Sequence, residues 1–126
     1  MYLRRDAAMI TTLRRTTDPS APPSFAALAR QLKALADPTR LAIVVLLARR
    51  EHCVCDLTAA LRLPQSTCSH HLGVLKRAGL IRDRQDAHDG RWSYYSIEPE
   101  VAGALRGHIG NLLDLGDFDP TPAHCD

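Results

Sequence analysis

Apolar residues recur at helical spacing through most of this chain, give way to two strand-like runs after residue 79, and return to helical spacing near the end. That change of pattern predicts the architecture. Ser24 is a suitable cap for a first helix with apolar positions Phe25, Leu28, Ala29, Leu32 and Leu35. Asp37-Pro38 restarts the chain, with Asp37 at the N-cap and Pro38 at the first helical position. Leu41, Val44, Val45 and Leu47 or Ala48 then give the second helix its buried face, and Arg49-Arg50-Glu51-His52 closes it. A short third helix is expected from about Cys53 to Leu61, with Cys53 as N-cap and Asp56 three positions on, a capping box with a thiol in place of a hydroxyl. Leu63-Pro64 makes a turn, and a fourth helix follows from Gln65 to about Ala78. Its buried stripe is Cys68, His71 or Leu72, and Leu75, and Gly79 stops it.

Leu80–Arg84 and the aromatic-rich Arg91–Ile97 read as the two strands of a hairpin, with Asp89-Gly90 as turn signal. Beyond Glu98-Pro99, the stripe Val101, Leu105, His108, Ile109, Leu112 and Leu115 predicts a last helix. The fold class is therefore mainly α with a small β-hairpin, an α+β winged helix-turn-helix. Residues 1–23 end in the proline-rich Asp18-Pro19-Ser20-Ala21-Pro22-Pro23 and read as a flexible extension. Residues 24–115 form the expected DNA-binding and dimerisation domain, and residues 116–126 an acidic tail.

Composition narrows the function. A chain of 126 residues, 45% hydrophobic, makes one small core, which a dimer would enlarge. No apolar run approaches a membrane span, and Arg4-Arg5 lack the apolar stretch and cleavage site of a secretory signal, so a cytoplasmic location is expected. The four cysteines are then expected as thiols rather than disulfides. The net charge of +2 hides a polarity: residues 98–126 carry one base, Arg106, against six acids, so a nucleic-acid surface belongs before residue 98.

Two short helices joined by a tight turn and followed by a hairpin suit that surface. Gln65, Ser66, Thr67, Ser69 and His70 supply donors and acceptors at the start of the fourth helix, where Gln can read adenine bidentately. Lys76 and Arg77 are better placed for phosphates, and Arg84 and Arg91 flank the hairpin tip, where they would reach an adjacent groove. Asp83, Asp86 and Asp89 repel phosphate and favour readout led by the fourth helix. The bland alternative is a helical hairpin with a solvated polar face.

Ala34-Leu35-Ala36-Asp37-Pro38-Thr39-Arg40-Leu41, Gln65-Ser66-Thr67-Cys68-Ser69-His70-His71-Leu72 and Gly90-Arg91-Trp92-Ser93-Tyr94-Tyr95 are similar to segments of the ArsR/SmtB family of metal-responsive repressors, over about residues 25–115. The resemblance implies a homodimer built on the first and last helices, binding an inverted repeat in double-stranded operator DNA. Two recognition helices related by a twofold axis read half-sites about 10 bp apart. Phe25, Leu28 and Leu32 with Leu105, Ile109 and Leu112 are the expected interface.

The cysteines carry the remaining chemistry. In a regular helix residues i and i+2 lie about 200° apart, so Cys53 and Cys55 can chelate one ion only where the helix is unformed or distorted. The first turn is the place where that is cheap, and its dipole and free amides are expected to lower the thiol pKa. Soft thiolates select soft ions. The alternative is two small core residues. His52-Cys53-Val54-Cys55-Asp56-Leu57 resembles the thiolate box of the family's arsenite, antimonite, cadmium and lead sensors. The resemblance implies arsenite or antimonite as inducer, alternatively Cd2+ or Pb2+, and no organic cofactor. Thr58 stands where some members carry a further cysteine, which leaves Cys125 in the tail as candidate third ligand. Cys68 reads as core. Of the family's zinc site on the last helix only His108 is present, which excludes zinc sensing there. A thiol-redox or sulfide sensor of the same fold is the competing reading. An enzyme is disfavoured, because Cys53 is followed by neither a glycine-rich loop nor an arginine.

Overall fold

The computed structural model describes residues 24–116 and 118–123. The extension expected over residues 1–23, and His124 and Cys125 of the tail, lie outside the described residues. The element order is α1 (Phe25–Leu35), α2 (Pro38–Leu47), β1 (His52–Cys53), α3 (Val54–Leu61), α4 (Gln65–Arg77), β2 (Ile81–Gln85), β3 (Ser93–Ile97) and α5 (Pro99–Leu112). The winged helix-turn-helix is present: α3 and α4 form the helix-turn-helix, and β2 and β3 the wing.

The helix starts follow local chemistry. Ser24 Oγ accepts from the Ala27 amide at 3.1 Å, and Asp37 Oδ1 accepts from the Thr39 and Arg40 amides at 2.8 and 3.1 Å. Pro38 occupies the first turn of α2, where its missing N–H costs nothing. Gly79 ends α4 at φ 77°, a left-handed conformation that lets the Leu80 amide reach back to the Leu75 carbonyl at 3.1 Å. Arg62 takes the same left-handed region at φ 55°, between α3 and α4, and its neighbour Leu63 donates to the Thr58 carbonyl at 3.2 Å.

The core sits where α2, α3 and α4 meet the root of the wing. Ile43, Leu57, Cys68, Leu72 and Leu75 are its fully buried side chains. Leu28 and Ala34 of α1, Leu80 and Ile81 before and in β2, and Leu105 of α5 complete it.

Four expectations need correction. The sheet has three strands, in the order β1-β3-β2, because His52 and Cys53 pair antiparallel with Tyr95 and Tyr94. In α2 the buried residues are Ile43 and Leu47, whereas Leu41 and Val45 are 50% and 55% exposed. Residues 41–48 are apolar without interruption, so periodicity cannot say which side faces inward. In α1 Phe25, Ala29 and Leu32 are exposed, and Leu28 and Ala34 carry the packing. The last helix ends at Leu112, leaving Leu115 exposed beyond it.

Candidate nucleic-acid interface and thiol site

Helix α4 is held from behind. Cys68, Leu72 and Leu75 recur at helical spacing and are at most 1% exposed, so the opposite side must face out. There Gln65, Ser66, Ser69 and His70 are exposed and Thr67 is half-buried. Among the described residues no hydrogen bond engages the side chains of Gln65, Ser66 or Ser69, which leaves their donors and acceptors open to a ligand. No side chain caps the helix after Pro64, so its first amides also lack a side-chain partner. A phosphate is a suitable partner for amides of that kind. Arg77 folds over Gly73, where an added Cβ would meet Arg77 Nη1 at 3.2 Å.

Arg40 fixes the angle of this helix, a role that the sequence reading missed. Its Nε donates to the Ala34 carbonyl at 2.6 Å and its Nη2 to the Lys33 carbonyl at 3.3 Å, which satisfies the end of α1. Its Nη1 lies 3.2 Å from His71 Nδ1 on α4. One guanidinium thus ties α1 and α2 to the recognition helix. An arginine three residues after a helix-capping aspartate was the available signal.

The wing is different in kind. Arg84 donates to the Glu51 carboxylate through Nε and Nη2, both at 2.9 Å, and its guanidinium carbon lies 5.1 Å from the centre of the Tyr94 ring. That pairing holds the Glu51 carboxyl below its usual range. Arg91 donates to both Asp89 oxygens at 3.0 Å, and Lys76 pairs with Asp83 at 2.7 Å. Asp86 accepts from the amides of His88 and Asp89, at 2.7 and 3.2 Å, and these bonds lower its pKa. The wing acids expected to repel phosphate are therefore absorbed by neighbouring donors. The same contacts occupy Lys76, Arg84 and Arg91, the bases expected to reach DNA.

The thiol box is built as a helix start. Cys53 Sγ accepts from the Asp56 amide at 3.4 Å, and the Cys53 amide donates to Asp56 Oδ2 at 3.4 Å. The thiol capping box is thus present at α3. Cys53 is buried and Cys55 is exposed, as a regular first turn requires for positions two apart. The expected lowering of the Cys53 pKa is corrected. Burial pushes this thiol up, the Asp56 amide opposes that, and the Asp56 carboxylate adds to it. Cys68 is fully buried, and burial raises its thiol too.

Thr58 Oγ1, at the position where a third family cysteine is absent, donates to the Cys55 carbonyl at 2.9 Å. His52 Nδ1 lies 3.9 Å from Asp56 Oδ2. Among the described residues no group of three or more His, Cys, Asp or Glu side chains is arranged to hold a metal ion. The two thiols fit the chemistry of a thiophilic ion but do not complete a three-sulfur set.

Residues 37–83, which run from the Asp37 cap through α4 into β2, match the family described as bacterial regulatory protein, arsR family. The chain is 49% identical over 109 residues to the arsenic resistance transcriptional regulator ArsR1 of Pseudomonas putida, covering 74% of this chain and 83% of that one. It is 46% identical over 70 residues to the arsenical resistance operon repressor of Escherichia coli, covering 55% of this chain and 57% of that protein. Its fold is similar to the crystal structure of an ArsR family transcriptional regulator, with a TM-score of 0.63 and 26% identity over 75% of this chain and 94% of the other. An open recognition helix on a winged fold, read with these similarities, makes this chain a member of the arsR family of bacterial regulatory proteins: a transcriptional regulator that binds DNA, and not an enzyme.

Proposed function

We propose that this protein is a repressor that holds operator DNA as a homodimer and releases it when Cys53 and Cys55 take up arsenite or antimonite. The observation that carries the reading is the capping box of α3. Cys53 is both a candidate ligand and the cap of the first helix of the helix-turn-helix, so drawing its sulfur toward Cys55 pulls it away from the Asp56 amide. In the structure its sulfur accepts from the Asp56 amide and lies buried, while Cys55 faces solvent. To meet one ion the two sulfurs must turn toward each other about Val54. Both thiol protons leave as water with two hydroxides of As(OH)3, so the raised Cys53 pKa is no obstacle to the exchange. The first turn of α3 then loses its cap. Leu57, fully buried one turn later, transmits the change to α4, against which α3 packs. Both recognition helices of a dimer must fit their grooves together, so a small change of angle is costly.

DNA contact is assigned to Gln65, Ser66, Thr67, Ser69 and His70 for bases, with Lys76, Arg84 and Arg91 toward phosphates. The operator would be an inverted repeat of half-sites about 10 bp apart. The dimer is supported by apolar surface left on α1 and α5: Phe25, Leu32 and Leu112 are 36%, 37% and 40% exposed. Leu28 and Leu105, also expected at that interface, are 4% and 5% exposed and belong to the protomer's own core. Cys125 is the proposed third sulfur. Among the described residues no helix is long and apolar enough to cross a membrane, and a reducing cytoplasm would keep the thiols free.

Cd2+ and Pb2+ share the preference for sulfur but favour three or four donors. We put arsenite and antimonite first because relatives of this chain are named for arsenic resistance, and Cys53, Cys55 and one further sulfur would make a three-sulfur site. The test is operator binding by fluorescence anisotropy while arsenite, antimonite, Cd2+ and peroxide are titrated in turn. Release by trivalent arsenic or antimony at near-stoichiometric levels is expected. Release by peroxide alone would transfer the protein to the thiol-redox class.

A further inference from the structure

The sheet places the thiol box in one row with the wing. Strand β3 lies in the middle, and Tyr94 faces Cys53 on one side and Arg84 on the other. In antiparallel pairs, residues directly opposite share a face of the sheet. The row closes on itself, because Glu51, two residues before Cys53, grips Arg84 through two bonds of 2.9 Å while Arg84 covers the Tyr94 ring. The next row runs His52, Tyr95, Asp83, and Asp83 holds Lys76 of the recognition helix at 2.7 Å. Strand β1 contains two residues, and one of them is the proposed ligand.

We infer that Glu51 is a positioning residue that couples the thiol pair to the wing: it moves with Cys53, and its grip on Arg84 breaks when Cys53 and Cys55 are drawn together. The inference rests on the proposed role of the two thiols and adds a second route from them to DNA. Drawing Cys53 toward Cys55 reshapes the segment that forms β1. A two-residue strand has little pairing to hold it, so Glu51 follows and the Arg84 guanidinium loses its anchor. The hairpin keeps β2 and β3 but loses the edge that sets its angle to α3. Release of DNA then has two components, a tilt of the recognition helix and a freed wing.

The chain's single tryptophan, Trp92, reports on the second component. It lies in the hairpin just before β3, and its carbonyl accepts from the Asp86 amide at 2.8 Å. Wild-type protein without DNA is titrated with sodium arsenite while Trp92 emission and free thiols are followed together. Operator binding with and without arsenite is then measured for wild type, Glu51→Gln and Glu51→Asp. Glu51→Gln keeps the shape and loses the charge, and Glu51→Asp restores a carboxylate on a shorter arm.

Trp92 emission is expected to change in step with thiol loss in wild type and to stay constant in a Cys53→Ser, Cys55→Ser double variant. In Glu51→Gln the ratio of operator affinity without and with arsenite should shrink about tenfold, arsenite should bind the DNA-free protein more tightly, and Glu51→Asp should recover part of the ratio. Thiol loss and DNA release with unchanged Trp92 emission overturn the inference without any variant. An unchanged ratio in Glu51→Gln overturns it as well, while the functional reading stands. If arsenite consumes no thiols in wild type, the functional reading fails and this inference fails with it.

Discussion

The recognition helix and the wing are neighbours in sequence and opposites in chemistry. On α4, Gln65, Ser66 and Ser69 stand exposed with no hydrogen-bond partner among the described residues, above a back of fully buried Cys68, Leu72 and Leu75. In the wing, Arg84 is bound to Glu51, Arg91 to Asp89, and Asp83 to Lys76. Unpartnered polar groups on a rigid support are what base readout needs, since nothing has to be broken before DNA is bound. Paired charges serve to position an element, and Arg84, held by Glu51 through Nε and Nη2, keeps Nη1 to offer a phosphate. On the proposed function the difference separates the labour: α4 would read, and Glu51, beside the thiol box, would hold the wing through Arg84.

The comparison can be broken most severely from the back of α4. Leu72→Ala empties a site that is 1% exposed and should destabilise the protein by about 2–5 kcal/mol, measured by denaturant unfolding. Operator and random DNA binding should fail together as α4 loses its support. A smaller and more selective effect is expected on its front. Gln65→Ala or Ser69→Ala should cost about 1–3 kcal/mol of operator binding and leave random-sequence binding and its salt dependence unchanged. Equal losses on both DNAs would remove these residues from readout.

The wing should respond in the opposite way. Arg84→Ala and Arg91→Ala should weaken operator and random DNA alike and reduce the slope of log affinity against log salt by at most about 0.9 each. A slope unchanged in both would confine these arginines to their internal pairs. The smallest effect concerns pH. The Arg40 amide, with that of Thr39, holds the Asp37 carboxyl below its ordinary 3.8. A depressed folded pKa means stability that is present above the unfolded value and lost as pH falls through the folded one. Asp37→Asn should therefore lower stability modestly at neutral pH and flatten the acid limb below about pH 4, where the two proteins converge. Circular dichroism against pH measures it.

Features set by neighbours in sequence were legible from the chain alone. The caps at Ser24 and Asp37, the thiol cap at Cys53 and the stop at Gly79 each depend on a few adjacent residues, and each is present. Features set by distant partners were not. Strand β1 exists only because Tyr94 and Tyr95 lie beside it, and two residues carry no period to detect. Glu51 and Arg84 are 33 positions apart, so the clamp left no pattern. The thiol pKa failed for the same reason: a helix start favours the thiolate, but burial, which opposes it, comes from the rest of the fold. The uninterrupted apolar run of α2 concealed Ile43 as the core residue and left Leu41 and Val45 on the surface.

The central claim is that release of DNA begins at Cys53 and Cys55. The direct measurement is operator binding by the Cys53→Ser, Cys55→Ser double variant, by anisotropy, with and without arsenite. Serine keeps an oxygen at the N-cap to accept from the Asp56 amide, so folding and repression should survive the exchange. The account predicts wild-type operator affinity that arsenite no longer alters. A double variant that still lets go of DNA when arsenite is added would contradict it.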